Sequence, residues 1–221
     1  MKIKIPSQPV YIPLFLLLAF LCYQAHQLTR HLVGAVLCGG FGTMTFTIAI
    51  TKQPCLFPVL VTLSGPLLTY GLAWFGMFLL RSPKYRLFAY ALIFASFAHL
   101  RFIQTLTGRG DELILSEGWF GISSRVVVAV IVFLIGLPPV IAAFRAIANR
   151  RRTLVFICSW LLPLPLLFAM LFVNQFLFGA NGDQIRGSLL GIAFIVFITD
   201  LIAGILLMVF GPRYLNPQKE V

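Results

Sequence analysis

Two of the three histidines in this 221-residue chain, His26 and His31, fall in one stretch, residues 26–50, which reads HQLTRHLVGAVLCGGFGTMTFTIAI. An imidazole set in apolar sequence serves as a hydrogen-bonding group, exchanges protons near neutral pH, or ligates a metal. The stretch opens as the polar end of an apolar helix, breaks at Gly39-Gly40, and then alternates. Met44, Phe46, Ile48 and Ile50 fall on one side of a period-two pattern, with Thr43, Thr45, Thr47 and Ala49 on the other, which predicts a short strand. Lipid would leave such a strand's backbone groups unpaired, so it is expected to lie against protein or to line a watery cavity. Thr43, Thr45 and Thr47 then mark a binding edge, where an extended polypeptide pairs through main-chain hydrogen bonds. One further polar position stands out. Asp200 lies inside the last apolar segment, where an acid is costly and faces a partner or a cavity. It reads as a proton or ion relay, or as a side chain paired with Arg125 or Thr199.

The elements that must carry these residues are membrane helices. Hydrophobic residues make up 60% of the chain and charged ones 10%, with a mean hydropathy of +0.98, far from the usage of water-soluble domains. The net charge of +11 would suggest a polyanion in a soluble protein. Here the basic residues sit between apolar runs, the pattern of a topology signal, so nucleic acid is set aside as a partner and lipids and a membrane protein remain. The fold class that follows is all-α and polytopic, with about six transmembrane helices and a short membrane-embedded strand or hairpin after the first, in one integral membrane domain over residues 1–221.

The spans are expected at about 11–38, 55–80, 87–106, 123–144, 153–178 and 188–210. Gly65-Pro66 is placed to kink the second, Pro138-Pro139 to bend or end the fourth, and residues 107–121 to form a loop holding Asp111, Glu112 and Glu117. Basic loops at 81–86 and 145–152 fall on one side with the tail, and the acidic loop on the other. Both termini are therefore expected in the cytoplasm, as in a bacterial inner-membrane protein, with Asp111 and the Gly39-Gly40 end outside. The four cysteines, Cys22, Cys38, Cys55 and Cys158, lie within or beside apolar segments and lack CxxC spacing. They read as unpaired apolar residues, forming neither a disulfide framework nor a zinc ribbon. With 22 phenylalanines, the chain also has the makings of a groove for a pigment or quinone.

The string from His31 to Gly39-Gly40, the strand after it, and the later VTLSGPLLTYGLAWFGMFLL resemble the site-2-type intramembrane metalloproteases over about the first half of the chain. That family carries HExxH on a membrane helix, then a Gly-Gly break and an embedded strand or hairpin, then a Gly-Pro helix. Two histidines four apart share one face and one zinc, and the glutamate is the general base. Anchored on Gly39-Gly40, the motif runs from Gln27 to His31, with Leu28 at the base position. Shifted by one residue it pairs His26 with His31, a separation of about 140° on a regular helix that requires a π-bulge. Gln27 then replaces the glutamate. Either way the base is missing, since glutamine takes no proton from water.

The resemblance therefore implies a catalytically inactive member, acting as a scaffold, substrate-binding pseudoprotease or accessory subunit with no cofactor. It also implies where a retained zinc would sit: His26, His31 and Asp111, with His99 in reserve, the set that a divergent zinc-dependent metallohydrolase would use. In the plainer reading of the same residues, His26 and His31 are buried hydrogen-bonding groups and Asp111 pairs with Arg109 or Arg101. A third expectation is a purely structural subunit of a respiratory or photosynthetic assembly.

Overall fold

The computed structural model of the chain describes residues 2–6, 9–108, 110–121, 124–179 and 187–215. Six helical segments are long and apolar enough to cross a membrane: Tyr11–Leu37, Pro58–Leu79, Pro83–Leu106, Arg125–Ala146, Arg152–Phe178 and Phe194–Pro212. The protein is an all-α polytopic membrane protein, as its hydropathy pattern predicts. Helix α1 (Tyr11–Leu37) runs unbroken, and α2 (Pro58–Leu79) begins on a proline, whose fixed φ suits a first helical turn.

The third span is the centre of the bundle. Of its most apolar stretch, 78% is buried within the protein, against 17% for each of the last two spans, whose sides are left to lipid or partners. It is not one helix. Helix α3 (Arg86–Ala95) stops before Phe97, which takes a left-handed φ of 62°, and a 3-10 turn, Ala98–Leu100, leads into α4 (Arg101–Leu106). Around α3, the fully buried Phe15, Tyr90 and Phe94 fill the core, and the Tyr90 hydroxyl is held by Ser159 at 2.9 Å.

Residues 107–121 are more ordered than the expected loop, because Asp111–Phe120 forms helix α5 with Asp111 and Glu112 in its first turn. Carboxylates there face the positive end of the helix dipole, which favours the start at this point. The fourth span, α6 (Arg125–Ala146), continues through Pro138-Pro139 instead of ending there. The fifth is divided at Pro163 into α7 (Arg152–Leu161) and α8 (Pro163–Phe178).

The expected strand at 43–50 is a hairpin. Strand β1 (Thr43–Met44) pairs antiparallel with β2 (Ala49–Ile50), and residues 45–48 turn back, with the Thr45 amide donating to the Ile48 carbonyl at 2.9 Å. The alternation fails because Thr45 and Phe46 are both buried in the turn. A second hairpin occupies the expected start of the sixth span: β3 (Ser188–Leu189) turns through Leu190 and Gly191 into β4 (Ile192–Ala193), and only then does α9 (Phe194–Tyr214) begin. Strand β4 pairs parallel with β1 at Met44 and Ile192, giving a four-stranded sheet in the order β2-β1-β4-β3.

Cys38 and Cys55, expected to be unpaired, form a disulfide across the hairpin's base. The helix end and the turn before α2 bring together two sulfurs that sequence spacing leaves far apart. At the other end of the bundle, Ile3 forms a parallel bridge with Ile147, and Leu215 packs into the same apolar cluster. The basic loops thus share one end with both terminal segments, while the disulfide, hairpins and Asp111 share the other.

Candidate functional site

The turn of the first hairpin is stitched to its neighbours by amide side chains. Gln24 donates to the Phe46 carbonyl at 3.0 Å, Gln27 to the Thr47 carbonyl at 3.2 Å, and Asn174 of α8 accepts from the Thr47 amide at 3.3 Å. In a membrane these backbone groups have no water to turn to, so side chains must satisfy them. Glutamine suits the task where glutamate would not, since only the amide has hydrogens to donate to a carbonyl.

One helical turn beyond His26 lies Arg30, and both side chains converge on Asp111 at the start of α5. The His26 Nε2 is 3.5 Å and the Arg30 Nη1 3.2 Å from the two Asp111 oxygens, and Arg101 Nη2 lies 3.0 Å from Oδ2. Arg101 also grips Glu112 with its Nε and Nη2, and the Tyr70 hydroxyl donates to the same carboxylate at 2.9 Å. The break at Phe97 makes this possible, by letting α4 leave the line of α3 so that Arg101 meets α5.

Gly65 completes the approach of α2. A Cβ there would stand 2.5 Å from His26 Cε1 and 2.9 Å from Arg30 Cδ, so this close contact needs a glycine. Burial works against ionisation of the Asp111 carboxyl, but the His26 hydrogen bond and the charges of Arg30 and Arg101 outweigh it. They hold the group well below the usual carboxylate range.

The expected metal ligands do not assemble. His26 and Asp111 meet, whereas His31 Nε2 is hydrogen-bonded to the Leu190 carbonyl at 2.8 Å, holding the second hairpin. His99 is bound to the Trp160 carbonyl at 3.0 Å. Among the described residues no three His, Cys, Asp or Glu side chains gather as a metal site requires. The residues do not fit zinc, because the position four after His26 carries a guanidinium that already neutralises the acid. The plainer pairing of Asp111 with Arg101 is present, and Arg109 lies outside the described residues.

Thr43 is paired with Ile50 in β1, which has neighbours on both sides, so the sheet's free edges belong to β2 and β3. Thr45 is buried in the turn. Thr47 alone of the three threonines lines a groove, of about 510 Å³, with Gln27, Arg30, Gln104 and Asp111 on one wall and Leu164, Leu167, Phe168 and Leu171 on another. Asp200 pairs with neither expected partner. The Thr199 hydroxyl donates to the Ile195 carbonyl, and Asp200 Oδ1 is buried without a hydrogen-bond partner.

A second kind of chemistry is suggested by order and excluded by space. Thr69 Oγ1 lies 2.9 Å from His26 Nδ1, so Thr69, His26 and Asp111 follow the sequence nucleophile, base, orienting acid. The space beside Thr69 is only about 20 Å³, enough for one water and for no acyl substrate. The sequence reading missed Arg30, although its four-residue distance from His26 was the available signal. Anchoring the motif on Gly39-Gly40 hid it. No family model, curated protein or solved structure matches the chain.

Proposed function

We propose that the chain is a catalytically inactive relative of the site-2-type metalloproteases, a membrane scaffold that holds a polypeptide partner in the groove beside its former metal position. The single observation that carries this is Arg30, four residues after His26 and 3.2 Å from Asp111. In the family's motif that spacing places the second histidine, and the carboxylate of a later helix completes the zinc site. Here a fixed cation occupies the place of the metal. Gln27, at the position of the general base, is engaged in holding the hairpin turn. Both replacements keep the architecture while removing the means to split water.

The orientation expected from the basic loops, with both termini cytoplasmic, is supported by the Cys38–Cys55 disulfide, which suits an oxidising outer face. A bacterial inner membrane remains part of the proposal. The test is metal analysis of the purified full chain. Wild-type protein prepared with ample zinc is expected to hold only traces, and a Gln27→Glu, Arg30→His double variant to acquire stoichiometric zinc. One zinc per wild-type chain would overturn the inactive reading, and a folded double variant without zinc would remove the kinship. A photo-crosslinker at Thr47, which lines the groove, is expected to capture a membrane-protein segment in native membranes. Capture of lipid alone would sink the partner role.

A further inference from the structure

The groove beside the charged cluster has two walls of different chemistry. On α8 the wall is Leu164, Leu167, Phe168 and Leu171, apolar positions at i, i+3, i+4 and i+7 that share one helix face over two turns. Phe168 and Leu171 are 66% and 46% exposed, so this face is not used up inside the chain. Its spacing is the one against which a second helix packs. In a bilayer, however, acyl chains cover an apolar face equally well. The choice of occupant has to come from the opposite wall.

That wall is polar and open. Arg30 and Asp111 keep 23% and 15% of their side-chain surfaces exposed, and both line the groove together with Gln104. The Gln104 carboxamide has no hydrogen-bond partner among the described residues, and neither of its polar atoms is enclosed by the chain. The charges nearby are already balanced, because the guanidiniums of Arg30 and Arg101 face the carboxylates of Asp111 and Glu112.

A segment that closes the groove strips water from these groups. An apolar occupant leaves the carboxamide without partners in a dry setting, and a charged one brings a charge that meets no counter-charge. A neutral group that donates and accepts side by side escapes both penalties. The carboxamide is that group, and it matches a second carboxamide through two parallel hydrogen bonds.

We propose that the groove takes an apolar membrane helix carrying one carboxamide side chain, glutamine or asparagine, which pairs with Gln104 while the helix lies on the Leu164–Leu171 face. The inference rests on the reading of the groove as a polypeptide site and adds to it the chemistry of recognition. The chain uses the same device next door, where Gln24, Gln27 and Asn174 meet the backbone groups of the hairpin turn.

The experiment places a photo-crosslinker at Thr47 of the full chain in phosphatidylcholine vesicles, with synthetic Leu-Ala helices of about 20 residues. One guest position, a turn from the helix end, is Gln, Leu, Asp or Lys, and capture is followed against peptide density. The Gln guest is expected to reach half-saturation at about fivefold to tenfold lower density than the Leu guest, and Asp and Lys to do no better than Leu. Gln104→Leu removes a side chain with no partner among the described residues. It is expected to fold, to keep capture of the Leu guest and to lose the preference for Gln.

Equal capture of the Gln and Leu guests would overturn the carboxamide inference and leave the groove reading standing. A preference for Asp or Lys would overturn it in favour of charge pairing. A preference for Gln that survives Gln104→Leu would overturn the assignment to Gln104. Capture of no guest at all would remove the groove as a polypeptide site and this inference with it.

Discussion

Asp111 and Asp200 are both set among apolar helices, and the chain treats them in opposite ways. Asp111 receives His26, Arg30 and Arg101, while Glu112 beside it takes Arg101 and Tyr70. Asp200 has a buried oxygen with no partner, on a helix whose Ile198, Leu201, Ile202 and Ile205 are exposed. The first acid is completed from within, by three donors brought from two other helices. The second has no hydrogen-bond partner for its buried oxygen among the described residues. A cluster whose charges are matched internally is a built part of the fold, whereas an intramembrane acid left unmatched carries its desolvation cost uncompensated.

The sharpest way to break the contrast is Arg101→Met. It removes the one cation shared by both carboxylates, leaving Glu112 buried with only the Tyr70 hydroxyl and Asp111 with His26 and Arg30, at a cost of about 3–5 kcal/mol. Thermal unfolding in detergent should show a large drop in midpoint or no folded protein. Asp111→Asn keeps the shape and removes one charge, leaving Arg30 without its acid, and should cost about 1–3 kcal/mol by the same measurement.

The pH response follows in sign. The folded-state value of Asp111 is depressed, so its contribution is complete above the unfolded value of about 4 and fades as pH falls below that. The midpoint of the wild type should therefore be insensitive to Asp111 between neutral pH and about 5 and should fall on further acidification. The Asp111→Asn variant should lack this share of the fall. Smallest is Asp200→Asn, which loses no partner among the described residues and should move the midpoint by about 1 kcal/mol or less, and upward. A loss as large as that of Asp111→Asn would mean that Asp200 is matched after all.

The spans were legible because about 20 apolar residues are what a bilayer requires, and little else produces such runs. Gly39-Gly40 marked the end of α1, and its φ values of 70° and 157° explain why glycine stands there. The second hairpin was hidden because SLLGIA reads as apolar helix when the sequence around it does. Its strand β4 is paired with β1 across 148 positions of chain, Met44 to Ile192, and the His31 link to Leu190 spans 159. The disulfide was hidden for a similar reason, since neither cysteine has a local partner pattern. In the site, His26, Asp111 and the pairing of Asp111 with Arg101 were legible, but Arg30 and Glu112 were not. Glu112 read as one acid of a loop until the break at Phe97 turns Arg101 toward it, and a left-handed phenylalanine leaves no mark in composition.

The Cys38–Cys55 link bears on how the molecule is made. It closes a ring of 17 positions that contains β1 and β2 and nothing from later in the chain. This half of the sheet can therefore be covalently bounded by the first two helices and the segment between them, with no help from later chain. The second hairpin has no such ring and depends on β1 for its pairing, so it needs the first as a template and the first does not need it.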